Sequence, residues 1–250
     1  MSGTVCANSG ACDVFNSLVQ VQPHLGDVAS KQAEVDLYLR EHDVTPSLGW
    51  DKCCGIINEN MQRLRPSGVT RIGHYIQHLR AILRKRHPQG TIVDFGCGPW
   101  IDLSAALAMG CDYEILLVEP NVQCLDFAVW RLRQRGLHCH GYLPGVDTTS
   151  ELELAGIEAA QPVMIVESSA FEHVREIRWM FPRLMELLPP QGLFLTNYTA
   201  LDWRRPELDG FAEAKSFASD AVQYALTLAD RWEWELVDGG GAWDLWERRS

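Results

Sequence analysis

A glycine-containing turn between an apolar strand and a helix constrains this chain more than any other feature. The stretch "TIVDFGCGPWIDLSAALAMG" (91–110) runs from an apolar segment around Asp94, through Gly-Cys-Gly-Pro (96–99), into an apolar pattern of helical spacing. Glycine lets the backbone pass close to a ligand and adopt positive φ angles. The start of the following helix presents free N–H groups. The turn therefore predicts a ligand that lies against the main chain.

The segments after this turn alternate between apolar strands and helices. Predicted strands lie at 91–95, 114–118, 137–142, 162–168 and 192–198. Such alternation implies a parallel sheet with right-handed crossovers. Two last strands, "WEWELV" and "AWDLWER", flank "DGGG" and predict a hairpin that adds an antiparallel strand. The expected fold class is therefore α/β, with a Rossmann-like, mostly parallel sheet of seven strands.

The chain before the first strand predicts a helical cap. Predicted helices lie at 30–41, 55–65 and 69–86. We expect them to fold over the ligand as a lid that excludes water. Three residues of this part are candidates to reach the ligand: Tyr38, Trp50 and Asp51. The predicted domains are an N-terminal helical lid (1–88) and a ligand-binding domain (89–250).

Further helices are predicted within the second domain. They lie at 100–110, 121–135 and 208–230. Ser150 with Glu153, and Ser169 with Glu172, form capping boxes, which are typical of helix starts. Pro182 is expected to break or kink the helix after the second box, because proline lacks the N–H that a helix interior uses.

Composition narrows the range of partners. The chain of 250 residues has a formal net charge of -11 and a pI near 5.1. Nucleic acids and anionic membranes attract basic surfaces, so we expect neither as a partner. The 8 cysteines include no C-x-x-C pair and no zinc spacing, so no metal site is predicted. With no signal-peptide pattern and no long apolar run, we expect a cytoplasmic protein that acts on a small molecule.

Acidic and polar residues lie at the carboxyl ends of the predicted strands, where such sheets bind ligands. These ends are at 94–99, 119–120, 167–169 and 197–198. Glu119 ends the second strand, where a carboxylate can accept two hydrogen bonds from a ribose diol. The sixth position of the glycine turn is Ile101, whose bulk would hinder the pyrophosphate of a dinucleotide. The pattern favours an adenosine ligand without phosphate.

Four segments resemble motifs of class I S-adenosylmethionine (SAM) dependent methyltransferases. They are "VDFGCGP", "LLVEPN", "PVMIVESSAFEHV" and "LLPPQGLFL", and the resemblance extends from Thr91 to the C-terminus. It implies SAM as cofactor or substrate, with the glycine turn at its methionine end, Asp94 beneath that end, Glu119 at the ribose and Asp147 near the adenine. The candidate residues for SAM binding are Asp94, Gly96, Cys97, Gly98, Pro99, Glu119, Pro120, Asp147, Glu167 and Ser168.

Three residues are candidates for catalysis: Glu167, His173 and Tyr198. Methyl transfer is an in-line displacement that needs a base only when the acceptor loses a proton. The family often has a small or neutral residue where this chain has Glu167. That acid either holds or deprotonates an amine, or it is simply favoured by the dipole of the following helix. His173 is either a base or a structural residue, and Tyr198 either contacts the sulfonium through its ring or packs.

Three functions fit these motifs. The first is methyl transfer from SAM to an amine, hydroxyl or carbon of a small molecule. The second is cyclisation of SAM to azetidine-2-carboxylate and methylthioadenosine, as in the SAM cyclases of natural-product biosynthesis, which resemble methyltransferases. Cyclisation needs an acid near the α-amine, for which Glu167 is the candidate. The third is a non-catalytic SAM-binding protein.

Overall fold

The computed structural model of this chain describes residues 28–47, 50, 66–99, 102–144, 151–168, 170–174, 177–197, 216, 234–238 and 244–249. The helix predicted at 55–65 and most of the one at 208–230 fall outside these residues, as do Asp51, Asp147 and Tyr198. Within the described residues, no helix combines the length and the hydrophobicity needed to cross a membrane.

Seven strands form one mixed sheet. They are β1 Gln89–Phe95, β2 Asp112–Val118, β3 Cys139–Tyr142, β4 Pro162–Glu167, β5 Leu193–Thr196, β6 Trp234–Asp238 and β7 Asp244–Arg248, and their order across the sheet is β3-β2-β1-β4-β5-β7-β6. The first five strands run parallel, and β7 pairs antiparallel with β5 and β6. The predicted parallel sheet and C-terminal hairpin are confirmed. The strand order reverses between β1 and β4, the point at which ligands of such sheets bind.

Six α-helices lie in the described part of the chain. They are α1 Val28–His42, α2 Pro66–Arg86, α3 Asp102–Ala108, α4 Val122–Gln134, α5 Glu151–Ala159 and α6 Ile177–Leu187. Asn121 begins α4, because its side chain accepts the N–H groups of Gln123 and Cys124 at 3.1 and 3.2 Å. Gly110 follows α3 with a φ of 64°, a conformation that commonly ends helices. These two helix boundaries are therefore set by the local sequence.

The prediction that a helix begins at the second capping box, Ser169 with Glu172, is wrong. The chain forms a short 3-10 turn at Phe171–His173, and α6 begins only at Ile177. The N–H groups of Ala170 and Phe171 bond to the side chain of Glu167, at 2.8 and 3.2 Å. Glu167 lies only three and four residues before these N–H groups, so its carboxylate closes a local turn here in place of a regular helix start.

Pro182 does not break α6, so of the two expected outcomes the break is wrong and the kink stays a prediction. The helix continues through it to Leu187. Side chains on both sides of the proline are buried in the core beside the sheet, and they are Ile177, Met180, Leu184 and Met185. Their burial contributes about 2 kcal/mol each, which offsets the roughly 3 kcal/mol that an internal proline costs.

Helices cover both faces of the sheet. On one face Val93 and Ile165 pack with side chains of α5 and α6. On the other face Ile92 and Met164 pack with side chains of α2, α3 and α4. All four strand residues are 0% exposed, as a parallel sheet buried on both faces requires. Helix α2 is therefore one of the helices that cover the sheet.

An aromatic cluster packs α1 against α4. Tyr38 and Trp50 are 4% and 2% exposed, and their ring centroids lie 5.2 and 5.1 Å from that of Phe127. Glu34 of α1 adds an ion pair with Arg131, which is itself buried. The structure thus places Tyr38 and Trp50 against α4. A lid formed by the N-terminal residues stays a prediction.

Replacing Phe127 with alanine should strongly destabilise the protein. Its side chain is 0% exposed at the centre of this cluster, and truncating a buried phenylalanine costs about 3–5 kcal/mol. Urea denaturation measures the free energy of unfolding. Val122→Ala, on the same helix but with Val122 52% exposed, is the control and should change that energy by less than about 0.5 kcal/mol. Similar losses in both variants would contradict the role of the cluster.

Candidate active site

The glycine turn is held against the end of β2. Gly96 and Gly98 have φ angles of 68° and 55°, in the left-handed region that favours glycine. The N–H groups of Gly96 and Cys97 donate to the carbonyl of Val118, at 2.8 and 3.2 Å. A Cβ atom on Gly96 would lie 2.2 Å from the Cβ of Ala170. The turn is therefore packed between the end of β2 and the loop after β4.

Glu119 lies against this turn. Its Oε2 accepts the N–H of Gly98 and its Oε1 accepts the N–H of Asn121, both at 2.9 Å. The side chain is buried, with the residue 8% exposed. Burial raises the pKa of Glu119, while the bonds from Asn121 and Gly98 lower it. Each carboxylate oxygen has two acceptor sites, so Glu119 can bond to the backbone and to a ligand diol together.

Asp94 is a buried acid at the end of β1. It is 5% exposed, and its Oδ2 accepts the hydroxyl of Ser104. Burial is the main cause that raises the pKa of Asp94 to about 7. The Ser104 hydroxyl lowers it, and the charges of Glu167 and Glu119 raise it further. Asp94 can therefore bind and release a proton near neutral pH.

Glu167 ends β4 and is 0% exposed. Its Oε1 accepts the N–H groups of Ala170 and Phe171, and its Oε2 accepts the hydroxyl of Thr196 on β5. These contacts show a buried acid that holds the backbone after its strand. Its role as the partner of an amine stays a prediction.

The other predicted site residues lie around these three acids or outside the described chain. Cys97 is buried, and burial is the first cause that raises the pKa of its thiol well above the usual range, so it is a neutral side chain. Pro99 is buried, whereas Pro120, Ser168 and His173 are exposed. Asp147 and Tyr198 lie outside the described residues. The structure thus brings Asp94, the glycine turn, Glu119 and Glu167 together.

The sequence analysis missed Ser104 and Thr196. Both donate a hydroxyl to a buried acid, Ser104 to Asp94 and Thr196 to Glu167. The sequence could have indicated Thr196, because it is the polar end of the apolar strand "LFLT". In the structure it pairs in register with Glu167. No sequence pattern indicated Ser104, since a serine in the first turns of a helix has many local roles. Among the described residues, no group of three His, Cys, Asp or Glu side chains could hold a metal ion.

Comparison with known proteins identifies the fold. No family model matches the sequence, and no curated protein matches it. The structure of a candidate caffeoyl-CoA O-methyltransferase from Staphylococcus aureus matches 88% of this chain and 99% of its own, at 13% identity and a TM-score of 0.52. That of a candidate SAM-dependent methyltransferase from Methanococcus maripaludis matches 70% and 84%, at 16% identity and a TM-score of 0.47. The chain has the class I methyltransferase fold. At such low identity, the likeness to the first of these structures shows the fold alone.

A Cβ at position 96 should destabilise the protein more than one at position 136. Gly96 and Gly136 have similar φ angles of 68° and 70°, but a Cβ at Gly136 meets nothing within 4 Å. Gly136→Ala should cost only the left-handed strain of about 1–2 kcal/mol. Gly96→Ala should cost about 1–3 kcal/mol more, because its Cβ overlaps with Ala170. Equal losses in free energy of unfolding would contradict the close contact.

Asp94→Asn should change how stability depends on pH. Between its ordinary pKa of 3.8 and its folded pKa of about 7, Asp94 holds a proton in the folded state that it has lost in the unfolded chain. Its contribution to stability is therefore present at low pH and is lost as pH rises to about 7. The asparagine variant has no such titration. Urea denaturation measures the free energy of unfolding at each pH. Between about pH 4 and 7 that energy should rise in the variant relative to the wild type, and above pH 7 the difference between the two proteins should stay constant. A difference that does not vary with pH would contradict the raised pKa.

Proposed function

We propose that this chain binds SAM at the carboxyl edge of the sheet and transfers its methyl group to a small molecule. The bond between the carboxylate of Glu119 and the N–H of Gly98, at 2.9 Å, carries the proposal. It joins a ribose-binding acid to a glycine turn at the strand-order reversal, which is the arrangement of a nucleoside site. Glu119 then binds the ribose diol, and the turn lies along the methionine end.

The charges at this edge favour SAM over a phosphorylated nucleotide. Asp94, Glu119 and Glu167 are all buried there, and anionic side chains near a pyrophosphate would repel it. SAM carries a sulfonium and an ammonium group instead of phosphates. Negative or hydrogen-bonding side chains near both groups would stabilise the bound ligand.

Methyl transfer requires few catalytic groups from the protein. The acceptor attacks the methyl carbon in line with the sulfur, so the site must orient the two molecules and exclude water. An acceptor that loses a proton also needs a base, and His173 and Glu167 remain the sequence candidates. The net charge of -11 supports a small molecule over nucleic acid as acceptor. The fold shared with a candidate O-methyltransferase supports methyl transfer as the first reaction to test.

A second candidate is cyclisation of SAM, which the state of Asp94 favours. In this reaction the neutral α-amine attacks the γ-carbon, the bond from that carbon to sulfur breaks, and methylthioadenosine leaves. The ammonium group must first lose a proton. Asp94, with a pKa of about 7, could accept that proton at neutral pH if the methionine end lies above it.

Incubation with SAM alone, followed by mass spectrometry, separates the candidates. Methylthioadenosine with a cyclic amino acid, above the spontaneous decay of SAM, would establish cyclisation. If SAM alone stays unchanged and addition of acceptor mixtures then yields S-adenosylhomocysteine, methyl transfer would be established. SAM binding without turnover under either condition would support a non-catalytic SAM-binding protein.

Glu119→Gln should weaken SAM binding. An amide offers one acceptor oxygen in place of two, so it loses hydrogen bonds with the backbone and with the diol. Loss of a charged hydrogen bond should raise the Kd about 10- to 100-fold. Titration calorimetry with S-adenosylhomocysteine measures the Kd without turnover. Glu114→Gln replaces an acid of the same strand whose side chain is 46% exposed, and it should leave the Kd unchanged. Equal affinity in the wild type and Glu119→Gln would contradict the ribose contact.

A further inference from the structure

We propose that Glu167 is a positioning residue, whose carboxylate fixes the turn after β4 against Gly96 and so forms one wall of the pocket for the methionine arm of SAM. The inference rests on the proposed function. It assigns Glu167 a task that differs from holding an amine, because the carboxylate acts through the backbone of the turn and does not touch the ligand.

The contacts of Glu167 connect three separate elements. It ends β4, and its Oε1 accepts the N–H groups of Ala170 and Phe171 at 2.8 and 3.2 Å. Its Oε2 accepts the hydroxyl of Thr196 at the end of β5. A buried carboxylate is costly unless it is hydrogen-bonded, so these three bonds hold the side chain and the turn in one arrangement.

The turn that Glu167 holds contacts the glycine turn directly. A Cβ on Gly96 would lie 2.2 Å from the Cβ of Ala170, so the methyl group of Ala170 fills the space beside Gly96. The other side of the glycine turn is fixed by the carbonyl of Val118, which accepts the N–H of Gly96 at 2.8 Å. Of these two contacts, the one with Ala170 depends on Glu167, because Glu167 accepts the N–H of Ala170.

Two substitutions at position 167 separate hydrogen bonding from charge. In Glu167→Gln the amide oxygen can still accept the N–H groups of Ala170 and Phe171. The amide nitrogen can donate to the hydroxyl of Thr196, because a hydroxyl accepts as well as donates. Glu167→Ala removes all three bonds. A positioning role therefore predicts that glutamine largely substitutes for glutamate, whereas a direct bond from the carboxylate to the ligand ammonium predicts that it does not.

The experiment compares two adenosine ligands that differ in the amino-acid arm. S-adenosylhomocysteine carries the arm and methylthioadenosine lacks it, and titration calorimetry gives the Kd of each. For Glu167→Ala we expect S-adenosylhomocysteine to bind at least about tenfold more weakly, with methylthioadenosine changed by less than about threefold. For Glu167→Gln both ligands should stay within about threefold of the wild type.

Thr196→Val provides a milder second variant if the alanine variant fails to fold. It keeps the side-chain shape and removes only the hydroxyl that Glu167 Oε2 accepts. We expect a selective loss of S-adenosylhomocysteine affinity of about threefold to tenfold. Glu114→Gln, at an acid that is 46% exposed on β2, is the matched control and should bind both ligands as the wild type does.

Three results would overturn the positioning role. One is a glutamine variant that binds S-adenosylhomocysteine as weakly as the alanine variant, because the charge would then be what the ligand needs. Another is a folded alanine variant that loses affinity for both ligands equally, because the effect would then not be confined to the methionine arm. The third is Thr196→Val with unchanged affinities. A wild type that binds neither ligand would instead refute the proposed function.

Discussion

At one edge of the sheet this fold buries acidic side chains, and backbone N–H groups replace the hydrogen bonds to water that these side chains lose. The rest of the site depends on these hydrogen bonds. Removing a carboxylate from water is costly unless donors replace the water. Glu119 receives N–H groups from Gly98 and Asn121, and Glu167 receives them from the turn after β4. In the described contacts of Asp94, the donor is the hydroxyl of Ser104. Burial raises the pKa of Asp94 to about 7, and the hydroxyl of Ser104 offsets that rise only in part.

The same hydrogen bonds also determine the shape of the loops. Each acid joins its own strand end to a neighbouring segment: Glu119 joins β2 to the glycine turn and to the start of α4, and Glu167 joins β4 to the next turn and to β5. Gly96 then leaves the space that the methyl group of Ala170 occupies between the two loops. Under the proposed function, ligand binding and loop structure are therefore coupled. A substitution that removes a hydrogen bond of one of these acids should then be measured both for stability and for affinity.

Most of the fold could be predicted from the sequence, because strand and helix periods are local signals. The five parallel strands, the hairpin and the start of α4 at Asn121 follow from apolar runs and capping residues. The acids at the strand ends could also be placed, since parallel strands bring their carboxyl ends to one edge. The predictions that failed have two causes. One is local competition, because Glu167 accepts backbone N–H groups three and four residues further on, where a capping box was expected. The other is contact between distant residues, because Thr196, the second partner of Glu167, is 29 residues away. Packing of Tyr38 on Phe127 likewise joins residues that no local pattern connects.

The position of the ionisable groups explains why sequence and fold indicate SAM more clearly than they indicate a reaction. Under the proposed function, Glu119 and the glycine turn contact the adenosine and methionine parts, which are the same in methyl transfer and in cyclisation. Asp94 would lie on the amino-acid side of the sulfur, whereas a methyl acceptor approaches from the methyl carbon. A base on the amino-acid side can deprotonate the α-ammonium group for cyclisation, but it is on the wrong side to deprotonate an acceptor. Under the proposed function, Asp94 would therefore act as a base only in cyclisation, and in methyl transfer it would serve binding alone.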